Sequence, residues 1–203
     1  LSLFNNTGSS NTAIGFSALK SNTSGNDNSS IGFNSLLNNT TGTRNTAQGF
    51  EVLYNNTTGG NNVASGYKSI YGNTSGTFNV ASGYLSLYAK TTGSNNVAIG
   101  YQAGRFITDG STANTTGDYN IFLGTDTKAL ADNDQNEIVI GYNATGVGSN
   151  SAVLGNDSIT KTVLKGNVGI GTTNPSNPLH VVSGDNILAT FESTDANATL
   201  YLK

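Results

Sequence analysis

The sequence predicts an all-β protein: a parallel β-roll, or solenoid, of coils about 17 residues long, followed by the start of a small β domain. Three observations carry this. One phrase recurs six times at an even step: Asn-Thr-Ala-Ile-Gly-Phe at Asn11, Asn-Ser-Ser-Ile-Gly-Phe at Asn28, Asn-Thr-Ala-Gln-Gly-Phe at Asn45, Asn-Val-Ala-Ser-Gly-Tyr at Asn62 and Asn79, and Asn-Val-Ala-Ile-Gly-Tyr at Asn96. The composition is rich in Gly and Asn with only 10% charged residues, yet its regularly placed apolar and aromatic residues separate it from disordered chains. Gly, Asn and β-branched residues recur too often for helix, and at about 3.3 Å per residue a coil holds two strands of about four to six residues plus turns.

Taken in order, residues 1–10 read as the tail of an earlier coil. Leu1-Ser2-Leu3-Phe4 matches Leu85-Ser86-Leu87-Tyr88, and Asn5-Asn6-Thr7-Gly8 matches, with one residue deleted, the turn that closes later coils, such as Asn39-Thr40-Thr41-Gly42. Within the regular array each position forms a column. The first is Asn throughout, and the third is Ala apart from Ser30. The fifth is Gly, which supplies positive φ at turns. The sixth is aromatic: Phe16, Phe33, Phe50, Tyr67, Tyr84 and Tyr101. The eighth is small, the ninth aliphatic, and the tenth drifts from Lys20 and Leu37 to Tyr54, Tyr71 and Tyr88. The seventh varies freely (Ser17, Asn34, Glu51, Lys68, Leu85, Gln102) and is expected to face solvent. With coils stacked about 4.8 Å apart, each column becomes a ladder, and the Asn amides bond to those above and below.

Three regions follow. Residues 1–104 are regular β-roll repeats of about 17 residues each. Residues 105–172 are an irregular continuation with a longer loop at 102–119, in which the phrase returns at Asn120-Ile121-Phe122-Leu123-Gly124, Ile138 to Tyr142, Ser151 to Gly155 and Val168 to Gly171. Residues 173–203 are a linker and the beginning of a C-terminal β domain, with strands read at Leu179 to Val182, Ile187 to Phe191 and Thr199 to Lys203. A coil this small cannot hold its whole aromatic ladder inside. A lone roll would expose an apolar stripe that monomers rarely carry, and symmetric self-association buries it.

Two segments resemble known families. The Asn-x-Val/Ala-x-Gly-Tyr units, together with Gly148-Ser149-Asn150-Ser151-Ala152-Val153-Leu154-Gly155, resemble the head repeats of trimeric autotransporter adhesins across about residues 1–160. The resemblance implies a left-handed parallel β-roll with three chains side by side, although the shorter period usual in those adhesins occurs here only from Gly141 to Gly155. Gly166-Asn167-Val168-Gly169-Ile170-Gly171-Thr172-Thr173-Asn174-Pro175, followed by Leu179-His180-Val181, is similar to a junction in bacteriophage tail fibres and tailspikes. That likeness implies a parallel homotrimer on a virion tail, with a trimeric β domain and a self-cleaving chaperone often downstream.

Little in the chain points to chemistry. There is no Cys, Met or Trp, so there is no disulfide framework and no thiolate metal site. The net charge of −3 gives no nucleic-acid footprint, and no apolar run is long enough to span a membrane as a helix. Asp132-Asn133-Asp134-Gln135-Asn136-Glu137 could offer oxygen ligands to Ca²⁺ but lacks the Gly and spacing of a calcium loop. Glu51, Asp118, Asp126, Glu137, Asp157 and Glu192 are the acids from which a glycosidase pair would be drawn, and none sits in a motif. His180 has no partner pattern of a base or ligand, and the Gly-x-Gly strings lack a following helix. Asn-x-Ser/Thr triplets such as Asn39-Thr40-Thr41 are read as products of the turn.

Three features are candidates for binding. The Tyr54, Tyr71, Tyr88 ladder presents rings suited to sugars. Thr23, Thr40, Thr57, Thr74 and Thr91 form a row like that of ice-binding solenoids. The loop after Gly104, with Arg105 and Phe106, is where a stacked scaffold places a contact. The expectation is a non-enzymatic tail-fibre shaft or head with no cofactor and no metal. Its partners would be its own copies and a host cell-surface glycan or receptor, not nucleic acid, and this segment would insert into no membrane. A bacterial surface adhesin is the alternative, and an ice-binding solenoid the lesser one.

Overall fold

A computed structural model describes residues 2–4 and 6–184 in two compact units, Leu1–Ile159 and Thr160–Lys203. The strands expected over 187–191 and 199–203 lie outside the described residues. No described residue is helical.

The first unit is a stack of coils, each contributing one short strand. These are β1 (Thr12–Ile14), β2 (Ser29–Ile31), β3 (Thr46–Gln48), β4 (Val63–Ser65), β5 (Val80–Ser82), β6 (Val97–Ile99), β7 (Ile121–Leu123), β8 (Glu137–Ile140) and β9 (Ser151–Leu154). They form one parallel sheet in chain order. The register keeps like residues together: Ala47 faces Ala64, Ala64 faces Ala81, and Ala81 faces Ala98. Alternation along each strand sends the third column inward, where Ala47, Ala64, Ala81 and Ala98 are buried, and turns the second and fourth columns outward.

The second strand expected in each coil is absent. Its place is taken by backbone that bonds from coil to coil without being extended. Positive φ recurs at alternate residues, Ser17 (55°) and Leu19 (51°), then Asn34 (53°) and Leu36 (50°), and likewise in the following coils. The N–H groups of this arc then point the same way along the stack: Leu19 to the Ser35 carbonyl (3.1 Å), Ser21 to Leu37 (3.1 Å) and Thr23 to Thr40 (2.9 Å). An extended chain alternates its donors and takes more length. This winding satisfies the backbone groups and lets a coil close within so short a segment.

The same winding corrects the seventh column, which does not face solvent. Ser17 and Leu85 are buried and Glu51, Lys68 and Gln102 are half-buried, because left-handed φ folds these side chains back against the roll. The aromatic sixth column, next to it, is exposed throughout.

The core is narrow and partly polar. Leu19, Leu36, Leu53, Ile70 and Leu87 stack beside the inward Ala row. Two Asn ladders close the cross-section. In the first column, Asn45 Nδ2 donates to Asn28 Oδ1 (3.2 Å) and Asn62 Nδ2 to Asn45 Oδ1 (3.1 Å). In the twelfth, Asn39 donates to Asn22 (2.7 Å) and Asn56 to Asn39 (2.7 Å). Both ladders also donate to one Gly carbonyl per coil, as Asn45 (2.8 Å) and Asn56 (2.9 Å) do to Gly59. The amide row foreseen for one column thus exists twice, and its members are buried with their hydrogen bonds supplied internally. The opening residues join in register: Asn6 Oδ1 accepts from Asn22 (2.5 Å), and Leu3 packs on the core.

The sixth coil carries the insertion. Val97 pairs with Ile121, a longer step than in any coil before it, after which Ile121 pairs with Ile138 and Ile138 with Ala152. The extra residues leave as a small hairpin in which Phe106 bridges Ala113 and Ile107 N–H donates to the Thr112 carbonyl (3.0 Å). Inside the coil, Gly104 stands where other coils have Leu or Ile, and Phe122 fills the space from the normally small third column. A Cβ on Gly104 would lie 2.5 Å from Phe122 Cδ2.

In the second unit, β10 (Val168–Ile170) pairs in parallel with β11 (Leu179–Val181), Gly169 facing His180. The chain around Val168, read from sequence as a continued rung, therefore pairs with a strand of its own unit. The compact units divide after Ile159.

Candidate functional site

The tenth column supplies the candidate surface. Tyr54, Tyr71 and Tyr88 stack at 5.0 and 5.1 Å between centroids, with ring planes 11° apart. Their faces are taken up by one another, so a sugar plane meets ring edges and hydroxyls along the row. Arg105 continues this column in phase: Cζ lies 5.0 Å from the Tyr88 centroid and 4.4 Å from that of Phe106. The structure thus gathers all five residues singled out for contact, Tyr54, Tyr71, Tyr88, Arg105 and Phe106, into one continuous ladder.

Beside it Lys68 and Glu51 form the ion pair of the seventh column, at 3.1 Å. The Lys68 ammonium also lies over Tyr67 (5.5 Å) and Tyr71 (5.2 Å), linking the two aromatic ladders. The hydrogen bond to Glu51 raises the Lys68 pKa, and burial raises that of Tyr71, with the Glu51 charge adding to it. The hairpin tip is organised by Asp109, which accepts from Ser111 N–H (2.8 Å), Thr112 N–H (2.7 Å) and the Thr112 hydroxyl. These bonds hold its pKa down near 2.

The Thr row is tied into the scaffold. Thr23 Oγ1 donates to the Thr40 carbonyl (3.0 Å) and Thr57 Oγ1 to the Thr74 carbonyl (2.9 Å), so the hydroxyl protons point along the stack instead of outward. The acids are scattered. Asp132 accepts from Thr115 and Thr116, Asp118 accepts from Ser94 N–H (2.6 Å), and Asp134 accepts from Ala131 N–H (2.7 Å). Asp157 lines a cavity of about 170 Å³ with Asn143, Thr145, Val147 and Val153, while Glu192 lies outside the described residues. Among the described residues no three His, Asp or Glu side chains gather as a metal cage, and no helix is long and apolar enough to cross a membrane. His180 Nδ1 accepts from Ser176 N–H (3.2 Å). Of the Asn-x-Ser/Thr acceptors, Asn22, Asn39, Asn56 and Asn73 are enclosed in the ladder.

Two buried ionisable residues each break an otherwise uniform Asn column: Lys90, which a reading of the sequence passes over, and Glu137, which it offers only as a candidate acid. Lys90 replaces Asn in the twelfth column. It is fully buried, donates to Asn114 Oδ1 (2.9 Å), and leaves Asn73 Oδ1 without a donor. Burial pulls its pKa down to about 8, partly countered by Asp132 and Asp118. Glu137 replaces Asn in the first column. Its Oε1 accepts from Gly148 N–H (2.8 Å) while Oε2 has no partner, and burial raises its pKa. In comparisons of this chain with protein families, curated proteins and solved structures, nothing matched.

Proposed function

We propose that this chain is the shaft or head of a bacteriophage tail fibre, a parallel homotrimer of β-rolls that presents a contact for the host cell surface. One observation carries the reading, the exposed apolar rows along the stack. Ile14 on the outward face of β1, and Phe16, Phe33, Tyr84, Tyr101 and Tyr142 in the turns that follow the strands, are 42–70% exposed. From Phe16 to Tyr101 the rings stack at 5.0–5.3 Å. A stripe of this kind is what monomers avoid and interfaces use. Because every rung repeats, a second and third copy at the same height set each row against its equivalents. Multiplied contacts then give avidity from individually weak sites.

A bacterial surface adhesin of the same build is the second reading, favoured by the shortened step from Ile138 to Ala152. Native mass spectrometry or light scattering tests the shared part: three times 20.8 kDa is expected, and a monomeric mass refutes it. Phe33→Glu with Tyr84→Glu should give folded monomers with unchanged circular dichroism. The gene read with its neighbours separates the two readings: tail genes and a chaperone on one side, a stalk and anchor barrel on the other.

A further inference from the structure

We propose that Arg105 is the anion-binding end of a carbohydrate contact on the tyrosine ladder, taking the carboxylate or sulfate of an acidic polysaccharide. The proposal deepens the receptor-contact reading above and rests on it.

The guanidinium is fixed but not neutralised. Tyr88 and Phe106 hold it at 5.0 and 4.4 Å, a placement that suits the weakly hydrated, planar group. Its Nε is buried without a partner, and no hydrogen bond or ion pair to its terminal nitrogens is formed among the described residues. Three acids of the array and its hairpin are committed elsewhere: Glu51 to Lys68, Asp109 to its own hairpin tip, and Asp132 to Thr115 and Thr116. Tyr54, Tyr71, Tyr88 and Leu37 of the same column show that stacking needs no charge at this rung, and Lys20, the other cation of the column, is exposed where Arg105 is held between two rings. Arg at this rung adds paired N–H donors matched to a carboxylate or sulfate, at the end of a row of phenol edges. Those edges repeat every 5.0–5.1 Å, a step comparable to one sugar residue, so a polysaccharide can follow the row with its charged group on Arg105.

The test uses the full chain with oligogalacturonate, its methyl ester and sodium sulfate, measured by calorimetry at low and high NaCl. The acid form should saturate, weaken as salt rises, and bind about tenfold or more tighter than the ester. Arg105→Ala should lose about tenfold or more, and Arg105→Lys should lose most of that, since Lys is a point charge without the fork. Equal binding of acid and ester, no saturation by the acid at millimolar concentration, or unchanged binding by Arg105→Ala overturns the proposal. Sulfate alone binding as tightly as the oligomer also overturns it, as an adventitious ion only. If Arg105→Ala does not fold, the comparison of acid with ester on the unmutated protein decides. Light scattering on the same samples separates the two readings: a monomer that binds the acid retains this site and loses the trimer, and a trimer that does not bind loses this site alone.

Discussion

Replacing Lys90 by Asn should stabilise the stack, and the gain should shrink as the pH rises. Lys90 sits in a ladder of amides with one hydrogen bond, and its folded pKa is about 8 against 10.5 for the free side chain. The unfolded chain therefore holds this proton more tightly. Below about pH 8 the fold bears the full cost of an enclosed ammonium, roughly 3 kcal/mol at ~1.4 kcal/mol per pKa unit. Between about 8 and 10.5 the folded form sheds the proton first, and stability rises with pH. Asn at this position also gives Asn73 Oδ1 its missing donor, an omission worth about 1–3 kcal/mol. Urea denaturation followed by circular dichroism near pH 7 should place Lys90→Asn about 4 kcal/mol or more above the parent, with the denaturant slope unchanged. By about pH 9.5 the difference should narrow by about 2 kcal/mol. Comparing the two proteins at each pH cancels the other lysines and Tyr71. A difference between the two proteins that does not narrow over this range, or a variant less stable than the parent near pH 7, would refute the account of Lys90 as a strained rung.

Three further substitutions probe the backbone and the core. Gly49 has φ of 131° and a Cβ there would strike the Gly66 carbonyl, so Gly49→Ala should cost more than about 3 kcal/mol in urea melts. Phe78 holds a left-handed φ of 58° while exposed, at a column position where Asn61 and Asn95 also stand, so Phe78→Asn should raise stability by about 0.5–1 kcal/mol. Phe122→Ala alone should cost about 3–5 kcal/mol. Paired with Gly104→Leu it recreates an ordinary coil, and the double variant should recover at least about 1 kcal/mol relative to Phe122→Ala; no recovery would show that the two positions do not share one space.

The parts of this fold legible in the sequence are those where a column carries one chemistry. Asn at the first position announces an amide ladder, Leu at the ninth a buried row, and the sixth-column rings a stripe too large to enclose. The arc that replaces the second strand is not legible, because Leu19 and its equivalents are residues that disfavour left-handed φ on their own. Only the hydrogen bonds to the neighbouring coil, as from Leu19 N–H to Ser35, hold them there. The seventh column reads as solvent-facing because its variability suggests exposure, when in fact Glu51 and Lys68 fold back and pair with each other across adjacent coils. At the site, the three tyrosines are visible as a row. Arg105 is visible only as part of a loop, because the apparent break after Gly104 hides that it still occupies the tenth position. Lys90 is obscured by the turn motif surrounding it.

The insertion in the sixth coil separates length from architecture. The chain departs near Phe106, wanders, and returns at Asn120 to the same amide row, and β7 pairs on schedule. A detour leaves the neighbouring rungs in place provided that re-entry falls on the Asn column. Such a stack can change in two independent ways. Whole coils can be added or lost by duplication, which alters its reach, and excursions can be swapped at one coil, which alters what it touches. Substitution within a rung is the slow route, since each residue answers to identical neighbours on both sides. Variation in related chains, and grafts made by design, should therefore accumulate at the exit between Arg105 and Tyr119.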